Sequence, residues 1–93
     1  MVTMGKTLFK EGNEFNYIRH NEILSNRMTL LFVHGLGESG QCFQEVFVDR
    51  WFDNCNIIVP DLIVYGKSSE AADGDYGFEA HREKLWKIIE YFK

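Results

Sequence analysis

The sequence predicts an α/β fold on three observations: two short β-prone stretches flanking a glycine, two buried-type apolar runs that each end in a loop, and two stretches with helical spacing. Strand and helix signals that alternate in this way describe a mostly parallel sheet with helices on its faces.

The elements follow in order. Lys6 to Lys10 carries Thr7, Leu8 and Phe9, and Glu14 to Arg19 carries Phe15, Tyr17 and Ile18, with Glu11-Gly12-Asn13 between them. Gly12 can take a positive φ without a side-chain clash, so this spacing predicts a hairpin. Met28 to Val33 is apolar without alternation, the pattern of a strand covered on both faces, and Gly35, Gly37 and Gly40 follow it at once. Between Gln41 and Phe52 the residues Phe43, Val46, Phe47, Trp51 and Phe52 recur at helical spacing, which predicts a helix after the glycine loop. Asn56 to Val59 is the second buried strand, closed by Pro60-Asp61. Leu62 to Gly77 is polar and reads as a long loop of the kind that carries function. Asp75 can cap a last helix, with Phe78, Leu85, Ile88, Ile89 and Phe92 on one face and Glu79, Glu83, Lys87 and Glu90 on the other, Glu83 pairing with Lys87 at i,i+4. No strand follows, so residues 1–93 read as one segment holding an unfinished unit of a larger sheet.

Composition narrows the function classes. A net charge of -4 with scattered charges offers no footprint for a phosphate backbone, which argues against nucleic acid. The N-terminal stretch has neither the apolar centre nor the cleavage site of a signal peptide, and the longest apolar run, Leu30 to Val33, is too short to span a bilayer. A cytoplasmic protein with no membrane contact is expected. Cys42 and Cys55 are isolated, with no His at ligand spacing, so they read as reduced thiols and no metal site is expected.

The glycine run supports two readings. Gly35-Leu36-Gly37-Glu38-Ser39-Gly40 fits G-x-G-x-x-G between a buried strand and a helix, and Asp61 stands about 20 residues on, at the acidic position of a dinucleotide site. Against a Rossmann-like nucleotide binder, a hairpin precedes the strand, His34 precedes the first glycine, and Tyr65-Gly66-Lys67-Ser68-Ser69 has no role in ribose recognition.

The second reading joins two motifs. Phe32-Val33-His34-Gly35-Leu36-Gly37, followed by Val59-Pro60-Asp61-Leu62-Ile63-Val64-Tyr65-Gly66-Lys67-Ser68, resembles the paired N-terminal signatures of the α/β-hydrolase superfamily: a strand-His-Gly turn and an Asp-x-x-Gly-x-Gly-x-Ser loop. The resemblance covers nearly the whole chain, and two motifs at this separation are far more specific than one glycine pattern. Val64 departs from it, standing where the family has Gly; a β-branched residue is strained if that position needs a positive φ. The resemblance implies the N-terminal part of an α/β-hydrolase sheet and a parent activity of ester- or amide-type hydrolysis through a covalent intermediate. It places one backbone N–H of the oxyanion hole on Leu36. It gives His34, Gly35 and Gly37 to the turn and pocket lining, and Asp61, Gly66 and Ser68 to the loop. His34 is not expected to act as the base, and His20 and His81 are read as surface residues.

One feature of the family is missing. Its nucleophile sits in G-x-S-x-G at a strand-to-helix elbow, followed by an acid and then a histidine. Gly37-Glu38-Ser39-Gly40-Gln41 and Gly66-Lys67-Ser68-Ser69-Glu70 both lack the final glycine. No complete catalytic set is therefore expected, the family's nucleophile would fall beyond Lys93, and the chain alone should be inactive. No cofactor is implied. In the family's strand order Leu30 to Val33 lies beside the nucleophile strand, so that edge should be open to the remainder of the hydrolase or to a second copy. The competing functional class is a non-catalytic association module built on this sheet.

Overall fold

The computed structural model describes residues 5–35, 38–62, 67–69 and 77–92. Strands β1 (Gly5–Glu11) and β2 (Glu14–His20) form the expected hairpin, in register from Gly5↔His20 to Glu11↔Glu14. Gly12 turns the chain at φ 62°, the positive value that tight hairpin turns require at their first central position. Strand β3 (Met28–Leu31) lies parallel to β4 (Cys55–Pro60), and β4 lies antiparallel to β2, giving the order β1-β2-β4-β3.

β4 matches its reading as a buried strand, because successive side chains alternate between two covered faces. Ile58 packs with Ile18 and with Ile88 of helix α1 (Phe78–Tyr91) on one side, while Ile57 and Val59 meet Phe47 on the other. The result is a sheet between two helical layers. β3 is shorter than the expected Met28 to Val33 and is not covered on both faces: Met28 is 70% exposed, and Val33, just past its end, is 41% exposed; among the described residues it pairs with β4 alone.

The helix expected over Gln41 to Phe52 is instead two 3-10 segments, Gly40–Phe47 and Arg50–Phe52. Ser39 caps the first through a bond from the Gln41 N–H. Asp49 breaks the run: its backbone is extended and its carboxylate takes the Trp51 N–H at 2.9 Å, restarting the helix one turn on. Phe43, Val46, Phe47 and Phe52 still reach the sheet, whereas Trp51 is 90% exposed.

The last helix also differs from its reading. Gly77 occupies its N-cap position, and Asp75 lies outside the described residues. Ile88 and Phe92 pack toward the sheet and Leu85 is partly buried, but Phe78 and Ile89 are exposed. Lys87 reaches Glu11 of β1 rather than Glu83, and Lys84 bonds Glu11 and Glu14, which ties α1 to the hairpin. His20 is half-buried, not a surface residue, and its ring holds Thr7 Oγ1 and the Asn21 carbonyl, each at 2.8 Å. His81 is partly buried as well. No helix among the described residues is long and apolar enough to cross a membrane.

Candidate active site

The carboxyl ends of β3 and β4, adjacent and parallel, bring His34 beside Leu62. His34 is 4% exposed, and the Leu62 N–H donates to its Nε2 at 2.9 Å. An acceptor Nε2 leaves the proton on Nδ1, which donates to the Gly35 carbonyl at 2.8 Å. Both ring nitrogens of His34 are thus engaged by backbone groups on either side of the two strand ends. The turn is clasped a second time by Glu38, whose N–H donates to the Gly35 carbonyl at 3.2 Å and whose Oε1 accepts the Gly35 N–H at 3.1 Å.

Asp61 is the centre of a second, buried network. It is fully buried, and its Oδ1 accepts from Arg19 Nη1 at 2.7 Å and from the Gly40 N–H at 2.6 Å, while Oδ2 accepts from the Lys67 N–H at 2.8 Å. Its carbonyl accepts from Asn16 Nδ2 and Ser68 Oγ, and its N–H donates to the Tyr17 carbonyl. One aspartate thus joins β2, the start of the first 3-10 segment and the loop after β4. Such a carboxylate has no place for a ribose hydroxyl. Gly40 has its own steric reason, since a Cβ there would lie 2.8 Å from Asp61 Oδ1 and 2.9 Å from Arg19 Nη1 and Val59 Cγ1. Its space belongs to the protein's own carboxylate rather than to a pyrophosphate.

The two loop serines extend the edge of β2 beyond the point where β4 leaves it. Ser68 Oγ accepts the Tyr17 N–H at 2.8 Å; Ser69 Oγ accepts the Phe15 N–H at 2.7 Å and donates back to the Phe15 carbonyl. Both hydroxyls stand in for a missing strand. Partial desolvation and the neighbouring Glu38 charge raise the Cys42 thiol above its usual value.

Comparison with known proteins places this arrangement. No family model matches the chain. It is 33% identical over 79 residues to Lipase 1 of Psychrobacter immobilis, an alignment covering 85% of this chain and 24% of that protein. It also superposes on a putative lipase from Acinetobacter baumannii with a TM-score of 0.78 and 28% identity, covering 94% of this chain and 28% of that one. In fold this chain is the N-terminal part of an α/β-hydrolase. The N-acyl homoserine lactonase AidH has the same fold, with a TM-score of 0.82 at 23% identity over 96% of this chain and 32% of that one. The α/β-hydrolase chain described here therefore spans about a quarter of its curated relative and about a third or less of these two structures.

Of the residues read from the sequence, His34, Gly35, Asp61 and Ser68 are brought to the carboxyl end of the sheet. Leu36 and Gly37, expected in the oxyanion turn, lie outside the described residues, as do Val64 and Gly66 of the loop. Arg19, Asn16 and Ser69 were not singled out from the sequence. The signal for Arg19 was indirect: an aspartate at the end of a fully buried strand needs a cation, and Arg19 is the basic residue of the strand that pairs with it.

Proposed function

We propose that this α/β-hydrolase chain supplies the oxyanion-hole side of a site for acyl transfer to water, acting on an ester- or amide-type bond, and that it is inactive alone. The observation that supports this reading is the Leu62 N–H to His34 Nε2 bond. It ties the ends of two parallel strands together and fixes where the chain leaves His34-Gly35 toward Leu36. In sheets of this class, reacting groups gather outside the carboxyl ends of the strands. A backbone N–H at Leu36 would donate to the oxyanion that develops on the substrate carbonyl oxygen in the tetrahedral intermediate, a contribution worth several kcal/mol only where the donor is held before the reaction begins. The double clasp of Gly35 by His34 and Glu38 is suited to hold it. The nucleophile, its base and the orienting acid would come from the portion that the longer relatives possess beyond the aligned segment.

The test joins this chain to the unmatched remainder of Psychrobacter immobilis Lipase 1 and follows hydrolysis of short activated esters. The joined protein is expected to turn over and the 93-residue chain is not. Saturable turnover by the 93-residue chain, lost on Ser39→Ala or Ser68→Ala, would contradict the proposal.

A further inference from the structure

Glu38 brings a negative charge to the turn where the proposed reaction would build one. Its Oε1 accepts the Gly35 N–H at 3.1 Å, and its own N–H donates to the Gly35 carbonyl at 3.2 Å, which closes a turn from Gly35 to Glu38. Gly35 permits this approach: a Cβ there would stand 2.9 Å from Glu38 Oε1. The side chain is exposed, and among the described residues it enters no ion pair, so no cation among them cancels its charge. The Cys42 thiol, raised first by desolvation and next by Glu38, registers that charge at the start of the 3-10 layer.

We infer, resting on the function proposed above, that Glu38 is a positioning and charge-selecting residue of the acyl-transfer site: its carboxylate fixes the Gly35 end of the turn, and its charge shifts the site's preference toward cationic and away from anionic acyl substrates. Two effects of opposite sign follow from one side chain. The clasp occupies the Gly35 N–H, so that donor is withheld from substrate, and it holds the peptide from which Leu36 follows. A carboxylate makes a stronger clasp than a neutral acceptor, and a donor held in place before the reaction lowers its barrier. The charge works the other way. Successive backbone nitrogens are under about 4 Å apart, so Oε1, 3.1 Å from the Gly35 nitrogen, lies within about 7 Å of the Leu36 nitrogen. An oxyanion one hydrogen bond further on, about 3 Å, lies within about 10 Å of the carboxylate. At that distance two unit charges alter a rate about twofold in a water-like medium and about 15-fold at an effective dielectric constant of about 20. Because Glu38 is exposed, solvent holds the effect toward the smaller figure, and salt diminishes it further. A cation carried near the substrate carbonyl offsets the loss, and an anion there adds to it.

The test uses the protein joined to the remainder of Lipase 1 and three para-nitrophenyl esters of one short acyl chain, ending in a methyl, a trimethylammonium or a sulfonate group. Glu38→Gln keeps an acceptor oxygen for the Gly35 N–H and removes the charge. It is expected to raise kcat for the neutral ester about twofold, and to lower the ratio of kcat/KM for the cationic over the anionic ester by at least about threefold. Both changes should shrink in about 1 M salt, where the Debye length is about 3 Å. Glu38→Ala removes clasp and charge together: the ratio should fall likewise, while kcat for the neutral ester drops about threefold or more below that of Glu38→Gln. A residue that only stabilised the fold would leave the ratio untouched. In the 93-residue chain the Gly35 amide reports the clasp without any reaction, and its hydrogen exchange should be at least about fivefold faster in Glu38→Ala than in the parent or Glu38→Gln. Equal ratios in the parent and Glu38→Gln, or a Gly35 amide equally protected in the parent and Glu38→Ala, would overturn the inference while the hydrolase reading stands. Hydrolysis of none of the three esters by the joined protein would overturn the hydrolase reading, and the charge selection with it.

Discussion

Replacement of Asp61 by alanine should be among the most damaging single changes in this chain. Its carboxylate is fully buried and accepts three hydrogen bonds, from Arg19, Gly40 and Lys67. Asp61→Ala leaves the Arg19 guanidinium, whose side chain is 8% exposed, without its anion, and orphans the Gly40 N–H. Breaking a buried pair from one side costs about 3–5 kcal/mol, because the remaining charge stays desolvated. At about 0.05–0.15 kcal/mol per residue, the whole chain has roughly 5–14 kcal/mol of stability, so the variant loses about a fifth of it at the least. Asp61→Asn keeps the shape and one acceptor but loses the charge and turns a donor toward an N–H; about half the loss is expected. Urea unfolding of the two variants, with Arg19→Met, Asp61→Leu and the double variant Arg19→Met/Asp61→Leu, closes a cycle. The double variant should lose well under the sum of the single losses, since replacing both members removes the uncompensated charge. A loss below about 1 kcal/mol for Asp61→Ala would refute the account of Asp61 as the joint between β2, the 3-10 layer and the loop.

Three further outcomes follow from the same contacts. Gly40→Ala should cost about 2 kcal/mol or more by denaturant unfolding, because the new methyl meets a buried carboxylate, a guanidinium and Val59 at under 3 Å with nowhere to move; a neutral result would contradict the packing. Ser68→Ala leaves the Tyr17 N–H without its acceptor and should destabilise by about 1–3 kcal/mol, while hydrolysis by the joined enzyme stays unchanged at saturating substrate. The hydrogen bond from Lys84 holds the Glu11 carboxyl below its ordinary 4.5 against the opposing effect of burial, so its contribution is present above pH 4.5 and is lost as pH falls through the depressed folded value. Glu11→Gln should therefore flatten the acid limb of stability against pH, by a small amount because Glu11 is a third exposed, and an unaltered limb would remove the pair from the account.

Local signals carried much of the architecture. Gly12 between two β-prone stretches, and the run from Asn56 to Val59, each declare their structure within a few residues, because turn geometry and two-sided burial are short-range constraints. The His34-Gly35 and Asp61 motifs likewise marked the ends of the two parallel strands. What escaped depends on partners distant in sequence. Phe78 and Ile89 belong to the apolar arc of α1, but only tertiary packing decides that the arc is half covered. The 3-10 break at Asp49 was hidden because the apolar spacing on either side of it still fits a helix, while the competing side-chain bond to Trp51 is a matter of local geometry. Asp61 was legible as a residue of the loop motif, yet its place as a saturated structural anchor rests on Arg19, 42 positions away.

The most direct measurement of the proposed role concerns the backbone N–H of Leu36 in the protein joined to the remainder of Lipase 1. An amide-to-ester replacement between Gly35 and Leu36, made by ligation, removes that N–H while keeping the side chain, and Leu36→Ala keeps the N–H while removing most of the side chain. The account predicts that kcat for a short activated ester falls about 10²- to 10³-fold in the backbone ester and stays within a few-fold in Leu36→Ala. Equal kcat in the backbone ester and the parent protein, with both folded, would contradict it.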